Sequence, residues 1–146
     1  MIDLPTPELS AEWVQVDSRL HLIVSEIEEE ANQYGQGVRV TSLIRGGNKR
    51  SPHAYGRACD LSVRGWPREL IGQVLRLNHR FQYPRRWLAT IMLESPDASF
   101  LAPFEAEYPR PVTLLSARAT APHIHVQVPE EPTPEWETLP DEAYDY

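Results

Sequence analysis

A chain of 146 residues with an apolar fraction of 41% and four Trp is long enough for one domain with a full core and too short for two. Its formal net charge of −7 argues against the broad basic surface that nucleic acid or an anionic membrane would need, so neither is expected as a partner. A lone cysteine, Cys59, rules out an internal disulfide, and no stretch approaches the ~20 apolar residues of a membrane span. The opening Met1-Ile-Asp-Leu-Pro5 has neither the basic region nor the apolar run of a secretory signal. The expectation is a soluble protein made in the cytoplasm without a signal peptide.

Residues 1–16 mix Pro5, Pro7 and acids with Leu4, Leu9, Trp13 and Val14, which reads as an extended N-terminal arm with room for a short helix, packing its few apolar residues on the domain. Asp17 or Ser18 caps a helix whose apolar residues, Leu20, Ile23, Val24, Ile27 and Ala31, recur at 3.6-residue spacing until Gly35 and Gly37 end it. His21 falls beside that stripe and reads as a helix residue rather than a ligand. Residues 38–45 alternate as a strand, with Arg39, Thr41, Leu43 and Arg45 on one face and Val38, Val40, Ser42 and Ile44 on the other. The following Gly46-to-Pro52 segment is loop-forming. It is not a phosphate cradle, because no helix pattern follows it.

Residues 57–64 form the next strand, Ala58, Asp60 and Ser62 facing one way and Cys59, Leu61 and Val63 the other. Cys59 is thereby assigned to the core as a small hydrophobe, not as a nucleophile or ligand. Trp66-Pro67 starts a helix with Leu70, Ile71, Val74, Leu75 and Leu77 on its apolar side, fading through Asn78-His79-Arg80. Trp87–Leu93 reads as a central strand. Residues 94–111, with Pro96, Pro103, Pro109 and Pro111, read as an irregular, functional loop. Val112–Ser116 is a further short strand. His123–Val128 alternates cleanly, with His123, His125 and Gln127 on one face and Ile124, Val126 and Val128 on the other. The predicted organisation is an arm (1–16), one domain (17–128) and an acidic, Pro-rich tail (129–146) in which Trp136, Leu139, Tyr144 and Tyr146 are possible anchors.

The chemistry concentrates in two places. His53 and Asp60 lie seven positions apart around a Tyr-Gly break, and His123-Ile-His125 follows far downstream. If the strands bearing Asp60 and the two histidines share a sheet whose apolar side is covered by helices, their polar faces line one groove, and His53 reaches it from the preceding loop. Two imidazoles and a carboxylate form a set that binds zinc with a coordination position left for water. Zinc in such a set makes hydroxide accessible near neutral pH and polarises a carbonyl.

Ser51-x-His53-x-x-Gly56-x-Ala58-x-Asp60, preceded by Thr41-Ser-Leu-Ile-Arg45 and followed by His123-x-His125, resembles the zinc peptidases that include D-Ala-D-Ala carboxypeptidases and L-Ala-D-Glu endopeptidases. Their fold is shared with the hedgehog signalling domain, and the resemblance covers about residues 38–128. It implies one zinc ion held by His53, Asp60 and His125, with Arg45 beside the substrate to stabilise an oxyanion. It further implies that Ser51 and Gly56 shape the ligand loop, Ser51 on the substrate side. Many members place an acid three residues before the last ligand, where this chain has Pro122. His123 is the remaining strand candidate for proton transfer, and Glu94, Asp97, Glu105 and Glu107 are acids that could reach the site.

The resulting expectation is an α+β domain, a small, mainly antiparallel sheet with helices on one face and a zinc groove on the other. The expected activity is hydrolysis of an amide bond in a peptidoglycan stem peptide or cross-link, with His123 and Arg45 as catalytic residues. Action at the bacterial cell wall without a signal peptide suggests a phage endolysin or a tail-associated lysin, whose terminal arms would meet virion or tail proteins. The alternative from another class is a virion or assembly protein that keeps the zinc fold for structure or binding with little catalysis.

Overall fold

In the computed structural model, the described residues are 2–44, 52–82, 90–108 and 112–129. Arg45, Ser51, the loop around them and the tail anchors expected at Trp136, Leu139, Tyr144 and Tyr146 lie outside that set. The chain runs β1 (Ile2–Asp3), α1 (Pro7–Trp13), α2 (Ser18–Gln33), β2 (Val38–Ser42), a 3-10 turn at Pro52–Tyr55 and β3 (Ala58–Ser62). It continues through α3 (Arg68–Arg76), α4 (Asn78–Gln82), β4 (Thr90–Ser95), α5 (Ala98–Glu107), β5 (Thr113–Leu115) and β6 (His123–Gln127).

The strands make one open, mixed sheet in the order β1-β2-β3-β6-β4-β5. Pairings from β2 across to β4 are antiparallel, and the two outer pairings, β1 with β2 and β4 with β5, are parallel. The last of the described strands, β6, is therefore inserted between β3 and β4. This insertion brings the His123-x-His125 segment beside Asp60 on one side and Glu94 on the other.

The core follows from the apolar periodicities. Leu20, Ile23, Val24, Ile27 and Ala31 of α2 are fully buried, as are Leu70 and Val74 of α3. They pack in one cluster with Val38 and Val40 of β2, Cys59 and Leu61 of β3, Ile91 and Leu93 of β4, and Ile124 and Val126 of β6. The first turn of α2 is held by Asp17, whose side chain accepts from the Arg19 backbone N–H at 2.9 Å and from the Arg19 guanidinium. Burial drives the Cys59 thiol pKa far upward, as expected of a core residue rather than a nucleophile.

Three readings of the sequence are corrected. The described part of the expected 94–111 loop, residues 94–108, is not irregular: Asp97 caps α5 by accepting from the Ser99 N–H at 2.9 Å, and Leu101 and Phe104 bury one turn apart. Pro103 sits inside that helix, where it removes one backbone donor, so its presence misled the periodicity argument. Docking compensates: the Tyr108 hydroxyl donates to the Gly72 carbonyl at 2.7 Å, and Arg76 pairs with Glu107 at 2.6 Å. Next, β4, described as Thr90–Ser95, runs past Leu93 and places Glu94 on a strand, while the expected residues 87–89 lie outside the described set. Third, a register shift between Val40 and Ser42 puts two residues of β2 against one of β3, so Leu43 turns into the core rather than sharing the face of Arg39 and Thr41. The N-terminal arm packs on the domain through its apolar residues. Ile2 and Asp3 pair with Val38 and Arg39, and Leu9 and Val16 enter the core cluster.

Candidate metal centre

Strand parity puts Asp60 of β3 and His123 and His125 of β6 on the face opposite the core, and the antiparallel register sets Asp60 directly opposite His125. His53 comes from the 3-10 turn that precedes β3. That turn is closed by Gly56, whose φ of +69° is costly for any residue with a Cβ. An added Cβ there would also meet the Val16 Cα at 3.4 Å. The Gly56 carbonyl accepts from the Asp17 N–H at 2.8 Å, which anchors the ligand turn to the start of α2.

His53 is 1% exposed and Asp60 7%. One ligand atom from each of His53, Asp60 and His125 lies within 4.8 Å of the others, so the three form a group that can hold a metal ion. The donor chemistry supports that fit. His53 Nδ1 lies 2.6 Å from the Leu43 carbonyl, which can only accept, so Nδ1 carries a proton and Nε2 is the nitrogen turned toward the centre. That Nε2 faces Asp60 Oδ1 at 3.3 Å. A proton on Nε2, or a cation between the two atoms, accounts for that approach. His125 repeats the arrangement, with Nδ1 2.9 Å from Asp60 Oδ1 and Nε2 2.8 Å from Gln127 Oε1. Outer partners that orient metal-binding imidazoles in this way are the usual companions of a metal site.

Burial by itself would raise the Asp60 pKa, but hydrogen bonds with His125 and His53 and their charges outweigh it and hold the carboxyl far below the ordinary range. Burial works against protonation of His125, yet the contacts with Asp60 and Gln127 raise its pKa above the usual value.

Family models, curated proteins and solved structures were all compared with this chain, and none matches.

His123 has a different environment. Its Nδ1 lies 3.1 Å from the Ala121 carbonyl and its Nε2 3.0 Å from Glu94 Oε2, with Asp60 Oδ1 at 3.8 Å. A carbonyl on one side and a carboxylate on the other favour the doubly protonated ring, and the bond to Glu94 is the main cause of its raised pKa. The same bond holds the Glu94 carboxyl below its ordinary value. Of the four acids considered from sequence, Glu94 is the one beside these histidines. Asp97 caps α5, Glu107 pairs with Arg76, and Glu105 meets Thr113 at 3.4 Å.

Sequence reasoning named Glu94 as one of four and gave Gln127 a face but no role; the pairings Glu94↔His123 and Ser62↔His123 supply what was missing. His21 stacks on Trp13 with ring centroids 4.2 Å apart, and His79 is exposed on α4; neither joins the centre. Arg45 and Ser51, expected at the substrate, are outside the described residues.

Proposed function

We propose that this protein is a zinc-dependent hydrolase of amide bonds, with a peptidoglycan stem peptide or cross-link as substrate and the bacterial cell wall as its place of action. The observation that carries the proposal is the convergence of His53, Asp60 and His125, whose ligand atoms lie within 4.8 Å of one another, with His53 Nδ1 committed to the Leu43 carbonyl and Nε2 turned to Asp60 at 3.3 Å. His53, Asp60 and His125 would hold a single zinc ion. The chemistry that zinc supplies in a site with three protein ligands is Lewis acidity, which polarises a carbonyl and brings the pKa of water down to roughly 7.

The chain's own residues supply proton handling. His123, charged and braced by Glu94, donates its Nε2 proton to the departing amine nitrogen, and the neutral imidazole left behind can take the next proton. Glu94 stabilises the imidazolium and fixes its orientation. This pair fills the role that the resemblance assigns to an acid at the position of Pro122. Arg45, by the same resemblance, would steady the oxyanion. Among the described residues no helix is long and apolar enough to cross a membrane. A phage endolysin or tail-associated lysin suits an enzyme of this kind.

The test combines metal content with turnover. Elemental analysis should give one zinc per chain in the wild type and little in His125→Ala, whereas His123→Ala keeps zinc and loses most cleavage of purified muropeptides. Chelator-sensitive cleavage supports the proposal. Stoichiometric zinc with no cleavage of any muropeptide would overturn the hydrolase reading in favour of a binding or assembly role.

A further inference from the structure

A groove of roughly 640 Å³ opens beside β2 and β3, bounded by Thr6 and Leu9 at α1, by Arg39 and Ser62 on β2 and β3, and by Arg64 and Trp66 at the turn beyond β3. None of His53, Asp60 or His125 lines it. It meets the metal centre through Ser62, which stands opposite His123 in the β3–β6 register. Directly opposed residues of antiparallel strands hold their Cβ atoms about 5 Å apart, so the groove is a continuation of the centre rather than a remote cavity.

Its charge is opposite to that of the whole chain. The formal net charge is −7, yet the lining carries Arg39 and Arg64 and no acidic residue. Arg39 is partly engaged by Asp3 at 3.4 Å in an exposed pair, while among the described residues no carboxylate lies within ion-pair distance of Arg64. The rest of the lining is built from short polar side chains and apolar surface, which suits backbone and aliphatic contacts.

We propose that this groove binds an extended peptide segment bearing a carboxylate side chain, with Arg64 as the residue that selects for the negative charge. The inference rests on the hydrolase reading for its purpose, since it gives that centre a substrate class. Arg64 follows Asp60 by four residues, about 13 Å of extended backbone at ~3.3 Å per residue. Arg64 is exposed, so the selection it exerts is modest: about two- to fivefold, and smaller at high salt.

The test uses the full chain with chelator present, so that binding is read without turnover and independently of metal. Ala-Glu-Ala and Ala-Gln-Ala are titrated separately into the protein, followed by amide chemical shifts. Ala-Glu-Ala should bind about two- to fivefold more tightly, with shifts clustered at Ser62, Arg64 and Trp66. The preference should vanish in Arg64→Gln and persist in Arg64→Lys. Equal affinities, a preference that survives Arg64→Gln, shifts elsewhere, or acetate binding as tightly as the peptide would each overturn the proposal. Such a failure would leave the zinc-content result standing, and loss of zinc binding would leave the peptide titration standing.

Discussion

Replacing Asp60 with Asn keeps the shape of the side chain and removes its charge, which isolates what the carboxylate contributes. Its Oδ1 stands 2.9 Å from His125 Nδ1, 3.3 Å from His53 Nε2 and 3.8 Å from His123 Nε2. At an effective dielectric of about 20, unit charges roughly 3.3 Å apart attract by about 5 kcal/mol, and a dication doubles that before desolvation is subtracted. The amide retains an oxygen donor but none of the charge. After the offsetting desolvation a net loss of about 4 kcal/mol is expected, roughly a thousandfold in zinc affinity. Competition against a chromogenic chelator measures this directly, with His79→Ala as a control on the exposed α4 residue. The metal-free protein gives a second readout. Because the folded Asp60 pKa is depressed, its stabilisation is complete above about pH 4 and is lost as pH falls through the folded value, so the variant should show a flatter acid decline in urea midpoint. A zinc affinity within threefold of the wild type would refute the charge argument and the metal centre built on it.

Asp17→Ala removes both the cap of α2 and the partner of Arg19, and should cost about 1–2 kcal/mol at pH 7 by urea unfolding. The Arg19 bonds hold the Asp17 carboxyl below its ordinary pKa, so the difference from wild type should persist down to about pH 4 and close as pH drops further. Gly56→Ala should destabilise by about 1–2 kcal/mol and weaken zinc binding by displacing the His53 turn. Gly37→Ala, with open space around its added Cβ, serves as the comparison in the same thermal melts. Asn78→Ala strips a buried amide that bonds the carbonyls of Leu75 and Ile91 and the Ile91 N–H, and should cost about 2–4 kcal/mol in denaturant midpoint analysis.

Local alternation along the chain was enough to decide which face each candidate ligand occupies, because strand parity depends only on neighbours in sequence. Asp60 opposite to Cys59, and His125 opposite to Ile124, needed no tertiary information. The α2 stripe and the burial of Cys59 were legible for the same reason. The bulge in β2 was not: it inverts the parity of Leu43, whose carbonyl then fixes the His53 tautomer. Nor was α5, since Pro103 breaks the local helix signal and the Tyr108–Gly72 contact that secures the helix comes from a segment far away in sequence.

What tertiary structure alone decided is adjacency. Insertion of β6 between β3 and β4 sets His125 against Asp60 and His123 against Glu94, and the same register joins the Arg64 groove to the centre through Ser62. Strand order is set by the packing of separate apolar faces onto α2 and α3, a balance among distant segments that spacing within any single stretch does not encode.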